Sequence, residues 1–144
     1  MYKYSFIALV LTVLFSACTI KPEPIQFGQD VCHFCEMTIV DKMHASEYVT
    51  PKGKIFKYDA IECMIQDLNN NNFPDRAFTL VSDFGKEGKF TNAEDATYLV
   101  SENIKSPMGE FLSAFSSKEK ATAIQREQTG EMFLWKEIVN KLKK

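Results

Sequence analysis

A turn signal used twice constrains the fold of this chain more than any other feature. Pro51, Gly53 and Ile55 return as Pro107, Gly109 and Phe111, each 56 positions further on. Proline presets φ for the first corner of a turn and glycine accepts a left-handed one, so Pro-x-Gly between apolar runs reads as a hairpin. Residues 38–40 read as strand-like, and around the first turn residues 45–50 and 54–58 read as strands. Asp59 with Glu62 has the spacing of a capping box, and Ile61, Met64, Ile65 and Leu68 form one apolar helical stripe. Residues 69–72 with Pro74 end that helix, 77–81 is a further strand, and 83–89 is a Gly-containing turn region. The second half repeats the plan. Residues 97–100 and 111–115 read as strands, Ser116 with Glu119 opens a helix to about Gln128, Gly130 stops it, and 131–135 is a strand. Ile138, Val139 and Leu142 mark a short C-terminal amphipathic helix. The expectation is an α+β fold of tandem ββαβ repeats with small mixed or antiparallel sheets. Repeats this short cannot each bury a core, so the halves, 31–90 and 91–144, should pack as one unit.

The first residues set the compartment. Lys3 precedes an apolar run, 6–15, too short to span a bilayer, and Ser16-Ala17 stand directly before Cys18. This resembles the lipobox of bacterial lipoproteins, with Phe15 where Leu is usual. It implies that residues 1–17 are removed and that Cys18 is lipidated. Several acyl chains on one residue anchor a protein stably where a single chain does not. Residues 18–30, with Pro22, Pro24 and Gly28, then read as a tether whose Ile25 and Phe27 are able to pack back onto the body. The expected location is the periplasmic side of the cell envelope, held to the lipid bilayer without crossing it. A formal net charge of −2 carries no electrostatic footprint for nucleic acid. Lys141, Lys143 and Lys144 read as a solvated helix end.

With Cys18 lipidated, Cys32, Cys35 and Cys63 remain, and at most one disulfide can form among them. A leftover thiol in an oxidising compartment must be used, buried or kept reduced. Soft donors concentrate at Cys32, Cys35 and Met37, with His33 among them. If 35–37 is extended, alternation puts the Cys35 and Met37 side chains on one face and Glu36 on the other. A thiolate beside a thioether selects Cu(I), whereas zinc gains nothing from methionine. Cys63 lies roughly 150° from the centre of the helix stripe at 100° per residue, so it faces either solvent or another element. Met64 lies in that stripe and reads as core. Met108 sits in a turn where packing demands no methionine, which favours it as a ligand. His33 is more often a turn residue than a ligand, and His44 has no motif around it and reads as structural. Two other readings stay open. Cys32 and Cys35 suit a thiol–disulfide redox pair, although this Cys-x-x-Cys does not open a helix in a βαβ pattern. Cys32, Cys35, Cys63 and a histidine suit a structural zinc module. No nucleophile–base–orienter arrangement is visible, so the chain does not read as an enzyme.

The residues also carry a family likeness. Asp30-x-Cys32-x-x-Cys35-x-Met37-x-Ile39 is followed by Gly53-Lys54-x-x-Lys57-Tyr58-Asp59-x-Ile61-Glu62-Cys63-Met64. Asn92-Ala93-Glu94-Asp95-Ala96-Thr97-Tyr98, Ser106-Pro107-Met108-Gly109 and Ala114-Phe115 continue it. Together they resemble the NosL family, lipoproteins that accompany nitrous-oxide reductase. The resemblance covers about residues 18–136 and implies a paired ββαβ architecture. It also implies an extracytoplasmic Cu(I) chaperone that delivers copper to nitrous-oxide reductase, with an upstream donor that stays unidentified. The family's Cys-x-Met falls on Cys35 and Met37, and the methionine of its Pro-Met-Gly on Met108. Many members have Gly where this chain has Glu36, and many lack the first cysteine, Cys32. Cys35, Met37 and Met108 are therefore the expected ligands, with Cys32, His33 and Cys63 in reserve.

Overall fold

Short runs of aromatic and β-branched residues pair into two antiparallel sheets in the computed structural model, which describes residues 19–71 and 76–143. The leader, Cys18 and Pro74 lie outside the described residues. Strands β1 (Ser46–Val49), β2 (Ile55–Tyr58), β3 (Phe78–Ser82) and β4 (Phe90–Asn92) form the first sheet, in the order β2-β1-β3-β4. Strands β5 (Thr97–Val100), β6 (Leu112–Phe115) and β7 (Glu131–Leu134) form the second, in the order β6-β5-β7. Helix α1 (Ile61–Asn71) joins β2 to β3, α2 (Lys118–Gln128) joins β6 to β7, and α3 (Trp135–Lys141) follows β7. Both halves thus share one ββαβ plan. β4 extends the first sheet as far as Asn92, past the position where the sequence pattern divides the halves.

Register refines the repeat. Val49 pairs with Ile55, and Val100 pairs with Leu112. Leu112, not Phe111, is therefore the counterpart of Ile55. The two hairpin connections, 50–54 and 101–111, differ in length by more than a factor of two. Phe111 ends the long one at φ 59, and its N–H donates to Ser106 Oγ at 2.9 Å. Gly130 needs its glycine most: φ is 114°, and a Cβ there would stand 2.3 Å from the Val100 carbonyl oxygen.

The main core crosses both halves. Tyr48, Tyr58, Met64 and Ile65 from the first half pack in one cluster with Tyr98, Leu112, Trp135 and Ile138 from the second. A smaller cluster, Leu99, Ile104, Phe115 and Ala121, lies under α2 on the other face of the second sheet. That sheet is covered on both sides, so its strands are apolar without clean alternation.

Three local expectations change. Residues 38–40 make an isolated bridge, Val31 with Thr38, rather than a strand. Ser117, not Ser116, caps α2 by accepting from Lys120 N–H at 3.3 Å. Ser116 instead donates its hydroxyl to Asp83 Oδ2 at 2.6 Å, because Asp83 is buried against the strand end. Glu62 is not the partner of a capping box. It is fully buried, and its Oε1 accepts from the Ser106 hydroxyl and from Leu112 N–H across the boundary between the halves. The tether is a strap, since Ile25 is buried and Phe27 half-buried against the core. Glu23 N–H donates to buried Glu47 at 3.1 Å, and Lys57 Nζ reaches the Pro24 carbonyl at 3.1 Å and Asp30 at 2.7 Å. No described helix is long and apolar enough to cross a membrane.

Candidate metal centre

Backbone bonds close residues 32–37 into a tight loop. Cys32 N–H donates to the Met37 carbonyl at 2.8 Å, and Glu36 N–H to the Cys32 carbonyl at 3.0 Å. His33 N–H donates to the Lys57 carbonyl at 2.8 Å, which docks the loop against the end of β2. After β2 the chain turns through Asp59-Ala60 into α1, so Cys63 enters the same place from the first helical turn. The sulfur atoms of Cys32, Cys35 and Cys63 lie within 4.8 Å of one another, all as free thiols. Cys32 and Cys63 are buried, and Cys35 is half-buried. Of the two places open to Cys63, burial selects the face against another element.

The three thiols do not titrate alike. A hydrogen bond from the Cys63 thiol, aided by backbone N–H groups of Cys35, Asp59 and Phe34, outweighs burial and lowers Cys32 to about 5. The same contact with Cys32, together with burial, pushes Cys63 well above the ordinary thiol range. Burial, then the neighbouring Cys32, raises Cys35. Three acids this close share their charge: one proton leaves readily and the next two resist. A bound cation reverses that logic and favours further thiolates. Two carboxyls border the site in sequence, Asp59 and Glu62, and burial raises both. Asp59 Oδ1 and Glu62 Oε2 are buried with no hydrogen-bond partner among the described residues.

The expected ligands divide. Cys32, Cys35 and Cys63 converge. Glu36 has φ 62, so 35–37 is not extended, and alternation cannot place Cys35 and Met37 on one face. Met37 instead stands 54% exposed on the loop. Met108 is half-buried and packs against the core cluster that contains Cys32 and Cys63. His33 stays outside the thiol group. Its ring lies 4.6 Å from Phe56 and 6.2 Å from Tyr58, with Nε2 4.0 Å from Asp67. Met64 is fully buried in the helix stripe, as its spacing indicates.

One arrangement escaped the sequence. His44 Nδ1 lies 2.9 Å from Asp41 Oδ2, and its Nε2 lies 3.2 Å from Ser113 Oγ. The residue types are those of a hydrolytic triad, but Ser113 is fully buried in β6 and no substrate reaches it. It ties the first half to the second. Nothing in the spacing of residues 41, 44 and 113 signals it.

The profile of the NosL family matches residues 24–142. No curated protein matches the chain. Among solved structures, that of the copper chaperone NosL from Shewanella denitrificans shares the fold, with a TM-score of 0.71 at 21% sequence identity. The match covers 83% of this chain and 96% of that one.

Proposed function

The chain belongs to the NosL family, and from that premise we propose that it is a lipid-anchored, extracytoplasmic Cu(I) metallochaperone supplying copper for the assembly of nitrous-oxide reductase. The observation that carries this reading is the convergence of Cys32, Cys35 and Cys63 within 4.8 Å, with Cys35 at the accessible edge. Three sulfurs suit a soft monovalent ion, and Met37 and Met108 supply thioethers of the same preference.

The donor set weighs against the alternatives. A structural zinc site closes with four ligands. Here the thiol group has three, while His33 lies on Phe56 and His44 is held between Asp41 and Ser113. A redox dithiol exposes its low-pKa cysteine to attack. In this loop the lowered thiol, Cys32, is 1% exposed, and the accessible one, Cys35, is raised.

Loading and transfer follow from the open edge. Cu(I) enters at Cys35, and Cys32 and Cys63 supply the inner sulfurs. Exposed Met37 lies where an acceptor's ligands approach, so copper leaves by stepwise ligand exchange with no change of oxidation state. Competition titration against a Cu(I) chelator tests this under reducing conditions. The reduced protein should take one Cu(I) in preference to Zn(II), and Cys35→Ser should nearly abolish binding. Met37→Leu and Met108→Leu should weaken it while changing fold stability by less than about 1.5 kcal/mol. One tightly held zinc that Cu(I) does not displace would return the structural zinc reading.

A further inference from the structure

At its described start the strap lies against the β1–β2 turn. Ile20 Cγ1 lies 3.9 Å from the position a Cβ on Gly53 would take. Residues 19–23 share a shallow hollow with Lys52, Gly53 and Ile55. The following residues leave no slack, because Glu23 is bonded to Glu47, Pro24 to Lys57, and Ile25 is buried. Between Thr19 and the Cys18 Cα there is one peptide unit, about 3.8 Å.

Resting on the proposed lipidation of Cys18, we infer that this pole of the first sheet is a membrane-contacting surface, on which Lys21, Lys52 and Lys54 meet anionic phospholipid headgroups. All three lysines are exposed beside the strap, against one exposed acid there, Glu23. Basic side chains held within a Debye length of an anionic leaflet are drawn to it, and a strap without slack keeps them there. The inference also orients the metal centre. β2 runs away from the turn and ends at Tyr58, where the 32–37 loop is docked through Lys57. At about 3.3 Å per residue the thiols stand roughly 15 Å from the turn. The thiols therefore stand at the end of β2 far from the anchor.

Amine footprinting of the full-length lipidated protein tests this on two vesicle types, phosphatidylglycerol with phosphatidylcholine, and phosphatidylcholine alone. On the anionic vesicles, labelling of Lys21, Lys52 and Lys54 should fall about fivefold or more relative to the unlipidated Cys18→Ala protein in solution. Lys86, exposed in the turn after β3 at the opposite end of the sheet, should label equally in all samples. Lys52→Glu with Lys54→Glu should restore labelling of Lys21 while the protein still floats with the vesicles. Flotation with unchanged labelling of the three lysines, or protection of Lys86 instead, overturns the surface and leaves the lipoprotein reading intact. Failure of the wild-type protein to float overturns the anchor, and the inference with it.

Discussion

α1 and α2 have the same length, eleven residues, and the same place between the second and third strands of their sheets. They are buried very differently. Seven residues of α1 are buried, including Glu62, Cys63 and Asp67, whereas in α2 only Ala121 is. Helix α2 packs on its own sheet and turns its other face to water. Helix α1 packs on β1 and β2 and also against β6, so it lies between the halves. The first turns align as Glu62 with Glu119 and Cys63 with Lys120. In α2 these are a solvated carboxylate and an ammonium group; in α1 they are a cross-half acceptor and a thiol of the candidate metal centre. One supersecondary plan, used twice, yields a site only where its helix has two buried faces.

The largest expected effect separates Cys63 from its counterpart. Cys63→Ser should lower Cu(I) affinity by about a hundredfold or more, because a hard hydroxyl replaces one of three soft donors. Lys120→Ser should leave it unchanged. Equal affinities for both variants in a chelator competition would remove α1 from the site.

Next in size is the contact between the halves. Glu62→Ala should cost about 1–3 kcal/mol, since it leaves the Ser106 hydroxyl and Leu112 N–H without their acceptor. Glu119→Ala, at the same helical position in α2, should stay within about 0.5 kcal/mol. Urea midpoints for the pair measure the difference. A comparable loss for both would mean that Glu62 is no cross-half link.

A smaller gain is expected in the loop that only the first half carries. Glu36 holds φ 62 without being glycine, a conformation that costs L side chains about 1 kcal/mol. Glu36→Gly removes that strain but loosens the unfolded chain, so a net stabilisation under about 1 kcal/mol should appear as a raised Tm. A lowered Tm would show that Glu36 contributes a contact outweighing its strain.

The strap gives the smallest effect, and it depends on pH. The Lys57 hydrogen bond holds the Asp30 carboxyl below its ordinary value, against a modest opposing effect of burial. A depressed carboxyl adds stability above its unfolded value, near 3.8, and loses it as pH falls through the lower folded value. Amide exchange at Glu23 and Ile25 should therefore accelerate below about pH 4, ahead of exchange in β5 of the second half. Asp30→Asn should abolish the difference between the two regions. Simultaneous acceleration in both would mark global acid unfolding instead of strap release.

The tandem plan was legible because it is local. Pro-x-Gly turns, apolar stripes and alternating strands are read over a few residues, and within each half strand, strand, helix and strand follow one another as those signals imply. Where a tertiary partner competed, local reading failed. Glu62 had capping-box spacing and Ser116 a capping hydroxyl, yet each found a buried partner elsewhere in the fold. Edge strand β4 was unreadable for a related reason, since three residues carry too little period to register.

For the candidate site, the sequence by itself determined the stock of soft donors, the Cys-x-x-Cys-x-Met run, the likeness to the family, and the fact that Cys63 points away from its helix stripe. Only the tertiary structure decided that Cys63 meets Cys32 and Cys35, that Met37 faces outward, and that neither histidine joins the thiols. The reason is physical. Direction around a helix follows from spacing alone, but what lies in that direction depends on how the second half covers α1 and on one left-handed residue, Glu36, whose identity announces no turn.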